Sequence, residues 1–214
     1  MFVRTTVRTL AFAIVALGTT VGASAAVLKG DPAAGEAKAA TCGACHGVDG
    51  NSAVPNFPKL AGLGEKYLVK QMKDIRSGLR PVAAMAGQVD NMTDQDLADI
   101  AAYYDAQVRS PEMTDPELLE LGRKVYMSGI MDRKVAACSG CHSPSGKGNA
   151  PAGFPALAGQ HADYIAAQLK MFRKGYEDPT GRVNDGDSKI MRTTAFELSD
   201  LEIQAVAAYA SGLR

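Results

Sequence analysis

Cys42-Gly43-Ala44-Cys45-His46 and, 96 residues further on, Cys138-Ser139-Gly140-Cys141-His142 decide how this chain is read. C-x-x-C-H is the attachment pattern of a c-type haem. One helical turn sets two cysteine sulfurs at the separation of the two haem vinyl groups, so both can form thioethers. The adjoining histidine is then within reach of the iron. All 4 cysteines and 2 of the 3 histidines of the chain lie in these two motifs. The competing readings are one structural zinc shared by two C-x-x-C pairs, a thioredoxin-like dithiol in each, or plain disulfides. Zinc pairs usually sit much closer together than Cys42 and Cys138, and no βαβ pattern surrounds either pair. The spacing predicts two covalently bound haem c groups, attached through Cys42 and Cys45 with His46, and through Cys138 and Cys141 with His142.

The N-terminus predicts the compartment in which such attachment takes place. Arg4 and Arg8 precede an apolar stretch from Leu10 to Val21, and Ala23-Ser24-Ala25 is a small-x-small cleavage site. Residues 1–25 read as a signal peptide, too short and too diluted by Gly18, Thr19 and Thr20 for a good membrane span. Retention as an uncleaved anchor is the alternative. Cleavage removes two arginines and no acid, so 23 Lys+Arg fall to 21 against 23 Asp+Glu. That slightly acidic balance leaves no basic footprint for nucleic acid.

Past the signal the chain describes the same scheme twice. Asp31-Pro32 opens a short helix that delivers the chain to Cys42, and a Gly-, Asn- and Pro-rich loop follows to Pro58. Leu63 to Ser77 has helical periodicity, with Gly78 as its stop. Thr93 caps a further helix bearing Leu97, Ile100, Ala101 and Tyr104 on one face. Ser110 to Thr114 reads as a linker. Then Phe57-Pro58-Lys59-Leu60-Ala61-Gly62 returns as Phe154-Pro155-Ala156-Leu157-Ala158-Gly159, and Tyr67 and Gln71 return as Tyr164 and Gln168, all at an offset of 97. The last helix, opened by the capping box Ser199-Asp200-Leu201-Glu202, repeats the Thr93 helix at an offset of 106. The expectation is an all-α protein of two tandem helical domains, 26–109 and 115–214, joined by the linker 110–114.

The repeat also selects the ligand on the far side of each iron, which decides between carrier and catalyst. At the 106 offset Met85 falls on Met191, whereas Met92 falls on Leu198 and, at 97, Met72 falls on Leu169. Met and Leu interchange readily in cores, so the last two pairs read as packing. Met85 and Met191, both expected in loops, read as the distal ligands opposite His46 and His142. Pro58 and Pro155 lie 12 and 13 residues past those histidines, and each offers a carbonyl to orient the ring's second nitrogen; loop stiffening is the alternative. His161 has no counterpart, since Gly64 stands at its place, and reads as a surface or interdomain hydrogen bonder, with a haem-ligand role as the alternative. Tyr176 to Lys189 carries nine residues more than the first unit's equivalent. Its acids lack the EF-hand spacing, so it reads as a structural loop instead of a calcium site.

Taken together, Cys42 to Ser52, Pro55 to Gly62, the Ser199-to-Tyr209 type of terminal helix and Asn184-Asp185-Gly186-Asp187 before Ile190-Met191-Arg192 resemble the cytochrome c4 family. The resemblance covers essentially the whole chain after the signal. It implies two class I cytochrome c domains about a pseudo-twofold axis, His–Met ligation of both irons, and haem edges facing each other with their propionates near the interface. His161, Tyr164, Arg80, Lys189 and Arg192 are the expected propionate donors. It further implies a periplasmic, non-enzymatic electron carrier. The expected donor is a quinol-oxidising complex or another redox protein, and the expected acceptor is a haem–copper terminal oxidase. Peripheral membrane association is compatible with this role. The alternatives are a dihaem redox enzyme, in which one iron must open, and an electron-entry subunit fixed in a larger complex.

Overall fold

A computed structural model describes Met1, Phe2 and residues 28–214. The signal peptide expected at 1–25 lies almost entirely outside the described residues. Asp31 opens α1 (Pro32–Lys38): its carboxylate accepts from the Ala33 N–H at 2.9 Å, and Pro32 fills a first-turn position that needs no amide donor. α2 (Gly43–His46) is a single turn with Cys42 at its N-cap. α3 (Glu65–Arg76) and α4 (Asp94–Asp105) complete the first unit. The second unit follows with α5 (Leu119–Ser128), α6 (Ser139–His142), α7 (Ala162–Lys174), α8 (Ile190–Phe196) and α9 (Asp200–Gly212). Outside the helices the described residues pair as strands only in two isolated bridges, Ile130–Val135 and Asn149–Phe154. The fold is all-α and tandem, as the sequence predicts.

In each unit the first and last helices cross at a glycine. A Cβ on Gly35 would lie 2.0 Å from the Asp99 carbonyl oxygen of α4, and one on Gly122 would lie 2.1 Å from that of Ala205 in α9. No other residue lets the two backbones approach so closely. Asp99 and Ala205 are 106 apart, so the crossing keeps the register of the repeat. Both terminal helices begin with a complete capping box, Thr93 with Asp96 and Ser199 with Glu202.

The two cores differ by an exchange of bulk. Ala39 of the first unit occupies the place of Tyr126 in the second, and Tyr104 the place of Ala210; all four are buried. One tyrosine thus fills each core, entering from the C-terminal helix in one unit and from α5 in the other. Exchanging large and small partners together conserves total core volume.

The linker is tied to both units. Lys59 Nζ reaches Ser110 O at 3.1 Å and Glu112 Oε1 at 2.6 Å, and the Thr114 hydroxyl donates to Ala208 O. Arg109 donates to Ala61 O of the first unit at 2.7 Å and to Ala156 O of the second at 3.0 Å. Burial lowers its pKa to about 10, which leaves the guanidinium charged at neutral pH.

Candidate haem centres

α2 and α6 each carry the second cysteine and the histidine of a motif on one turn, with the first cysteine at the N-cap. His46 Nδ1 lies 2.8 Å from Pro58 O, and His142 Nδ1 lies 2.9 Å from Pro155 O. A carbonyl only accepts, so Nδ1 carries the hydrogen and Nε2 keeps its lone pair free. Burial lowers the pKa of both rings against the opposing pull of the proline carbonyls. Each ring is therefore a buried neutral imidazole with one nitrogen available to a metal. Of the two roles weighed for Pro58 and Pro155, the geometry shows the orienting one.

The proline loops are held in place by matched hydrogen bonds. Gly50 O accepts from Leu60 N at 2.8 Å, and Gly146 O accepts from Leu157 N at 2.7 Å. Phe57 and Phe154 pack against the two histidine rings with centroids 6.2 and 6.1 Å apart. No disulfide joins any of the four cysteines, which leaves all of them for the haem vinyl groups.

In the first unit these groups line a cavity of about 780 Å³, whose wall includes Cys42, Cys45, His46 and Met85. That volume lies within the range of about 300–1,000 Å³ common for cofactor sites. Met72 and Met92, expected in the core, pack against the first hydrophobic cluster and also reach the cavity wall. Met85 belongs to a 3-10 turn, Ala83–Met85, and is half-buried. Met191 departs from the loop expected for it. It sits in the first turn of α8, half-buried, packed with Cys138 and Leu157 against the second core. The extra helix escaped the sequence because its N-cap, Lys189, is a left-handed residue with no capping side chain. A neutral imidazole nitrogen and a methionine on the wall could serve an iron, and two unpaired cysteines on one turn are placed to bond the vinyl groups, a set that fits a covalently attached haem.

The cavity opens toward the seam between the units, where two arginines act in mirrored roles. Arg80 donates to Tyr164 Oη at 2.9 Å and to Gln168 Oε1 at 3.1 Å, both in the second unit. Arg182 donates to Tyr67 Oη at 3.1 Å and Gln71 Oε1 at 2.8 Å, both in the first. Tyr67/Tyr164 and Gln71/Gln168 are the pairs already matched at offset 97. Arg182 lies in the lengthened segment Tyr176 to Lys189; its N–H donates to Met171 O as that of Arg80 does to Asp74 O, acceptors 97 apart, so it is the counterpart of Arg80, displaced in sequence by the added residues. Its neighbour Asn184 donates to Asp74 Oδ2 at 2.6 Å across the same seam.

Of the expected propionate donors, Arg80 and Tyr164 are at this seam. Arg192 is instead paired with Asp185 at 2.6 Å, and Lys189 is exposed. His161 is buried in an interdomain contact, with Nε2 2.9 Å from Ser52 O and Nδ1 2.9 Å from Glu112 Oε1. The loop from Tyr176 to Lys189 uses its polar groups structurally: Asp178 accepts from Thr180 N, Asp185 holds Arg192, and Asn184 enters the seam. No group of three or more metal-binding side chains occurs among the described residues.

Comparison with known proteins agrees with this geometry. The cytochrome c family model matches residues 32–105 and 119–213, one match per unit. Cytochrome c4 of Pseudomonas aeruginosa is 56% identical over 184 residues, covering 86% of this chain and 89% of that protein. The crystal structure of reduced recombinant cytochrome c4 from Pseudomonas stutzeri superposes with a TM-score of 0.83 at 50% identity, covering 86% of this chain and all of that one. A thiosulfate dehydrogenase electron acceptor of Stutzerimonas stutzeri is 35% identical over 181 residues, covering 80% of this chain and 78% of that protein. With one haem c motif in each of its two cytochrome c units, the chain belongs to the cytochrome c4 family of dihaem electron carriers.

Proposed function

We propose that this protein is a periplasmic carrier that takes single electrons from a quinol-oxidising complex or a comparable donor and delivers them to a haem–copper terminal oxidase or similar acceptor. His46 and Met85 bind one iron, and His142 and Met191 bind the other. The observation that supports this most directly is the pairing of methionine with methionine across the repeat, together with His46 and Met85 on the wall of one cavity. Thioether ligation favours the reduced metal and raises its potential. His46 with Met85 and His142 with Met191 would hold the two irons by protein side chains alone, so the chain would carry electrons without catalysing a reaction of its own. The bound haem supplies one-electron iron redox chemistry. The chain's part is to hold the neutral tautomer of each histidine, exclude water, and present the two centres in one rigid body. Export follows from residues 1–25, and no described helix is long and apolar enough to cross a membrane.

The test is ligand replacement. Met85→Ala and Met191→Ala should each open one iron, bind one equivalent of carbon monoxide in the reduced protein, and lower one of the two potentials. A variant that keeps two low-spin irons and both potentials would remove that methionine from the assignment. A second reading, acceptor for one dedicated dehydrogenase, is favoured by the relative that carries that description. Reduction of the purified protein by such an enzyme, faster than by quinol-oxidising membranes, would select it.

A further inference from the structure

The repeat departs from itself at Gln160-His161, which align with Leu63-Gly64, and both side chains reach into the first unit. Gln160 is 2% exposed. Its Oε1 accepts from the Lys59 N–H at 2.9 Å, and its Nε2 donates to Lys59 O at 2.8 Å. The Lys59 N–H and the Pro58 carbonyl are the two ends of one peptide group. The Pro58 oxygen accepts from His46 Nδ1 at 2.8 Å. A continuous chain therefore runs from the His46 ring through the Pro58–Lys59 peptide to Gln160, from one unit into the other. In the second unit the corresponding grip, from Arg109, is on the carbonyls of Ala156 and Ala158, at 3.0 and 3.2 Å.

We infer that Gln160, a residue of the second unit, is a positioning residue for the haem-binding histidine of the first, and that it sets the donor strength of that histidine. The inference rests on His46 as an iron ligand. Donating a hydrogen bond from its N–H end concentrates negative charge on a peptide's carbonyl oxygen, a cooperative gain of about 10–30% per bond. The Pro58 oxygen then draws harder on the Nδ1 proton, the ring becomes more electron-rich, and the oxidised metal is favoured. Without Gln160 the peptide is less polarised and the histidine is a weaker donor.

The experiment uses the full-length haem-loaded protein with Gln160→Leu and Gln160→Glu, read by potentiometry and by NMR of both haems. Gln160→Leu should raise the potential of the first unit's haem, leave that of the second in place, and shift the His46 ring resonances. Gln160→Glu keeps an acceptor for the Lys59 N–H, so it should not raise that potential; this variant decides the matter if the leucine variant fails to fold. Unchanged first-haem potential and His46 resonances overturn the inference, as does an equal shift at both haems, which marks a general loosening of the seam. Absence of hyperfine-shifted His46 ring signals in the unaltered protein would instead refute the ligand assignment. Their presence, unmoved by either variant, refutes the role of Gln160 alone.

Discussion

The carbonyl oxygens of Pro58 and Pro155 determine which nitrogen of each motif histidine carries its proton, and through it which nitrogen keeps a free lone pair. That role was within reach of the sequence, because a proline follows each motif at nearly the same distance and the repeat supplies it twice. Gln160 was not: it has no partner in the repeat, and only the folded chain brings it to residue 59. A second residue-scale contact carries a pH dependence. Arg133 and Glu202 form an ion pair that, with the Ser199 cap, holds the Glu202 carboxyl down at about 2. An unfolded glutamate titrates at about 4.3. The stabilisation is fully present above the unfolded value and is lost as pH falls from about 4 toward 2. Glu202→Gln should flatten the acid limb of the stability curve in that window and lower stability at neutral pH, as measured by denaturant titration at stepped pH.

At the scale of elements, the crossings at Gly35 and Gly122 are the most exacting contacts. A methyl group at either position meets a backbone carbonyl near 2 Å, and a backbone cannot swing aside as a flexible side chain can. Gly122→Ala should destabilise the second unit by about 3 kcal/mol, the upper end of ordinary overpacking costs. Calorimetry of the haem-loaded protein would read the loss. The tyrosine exchange gives a sharper test of the same packing. Tyr126→Ala should cost about 3–5 kcal/mol, the range for emptying a large aromatic from a core. Adding Ala210→Tyr should recover a substantial part, because the first unit already uses that arrangement. If the double variant is no more stable than the single, the two sites are not interchangeable. Helix positions were largely legible from apolar periodicity and caps: the caps at Thr93 and Ser199 stand where they were expected, and the first is also a full capping box. α8 was not, since a seven-residue helix behind an uncapped left-handed lysine leaves neither period nor cap to read.

At the scale of the whole molecule the seam matters more than either unit. Each unit is small for an independent core, and small domains bury a limited fraction of their surface. Arg80 and Arg182 bind the tyrosine and glutamine of the opposite unit, while the linker is fastened at Lys59 and Thr114. The protein should therefore unfold in one thermal transition, and Arg182→Ala should split it into two. Electrons introduced at one haem by flash reduction should reach the other faster than they leave for a partner. Independent relaxation of the two irons would leave only a fusion of separate carriers. The sequence disclosed the duplication but not the second arginine, because the additional residues around it break the register on which the comparison depends.

Arg182 and Asn184 of that segment, with Gln160 and His161, belong to the second unit and bond to the first. Leu63 and Gly64, at the places of Gln160 and His161, return neither of those two contacts, whereas Arg80 answers Arg182. The duplication has thus become directional. Produced as separate halves, the units should associate one-to-one as a heterodimer. Two copies of the first half fused head to tail should associate more weakly, because they keep Arg80 with Tyr67 and Gln71 but lack the contacts that Gln160 and His161 supply.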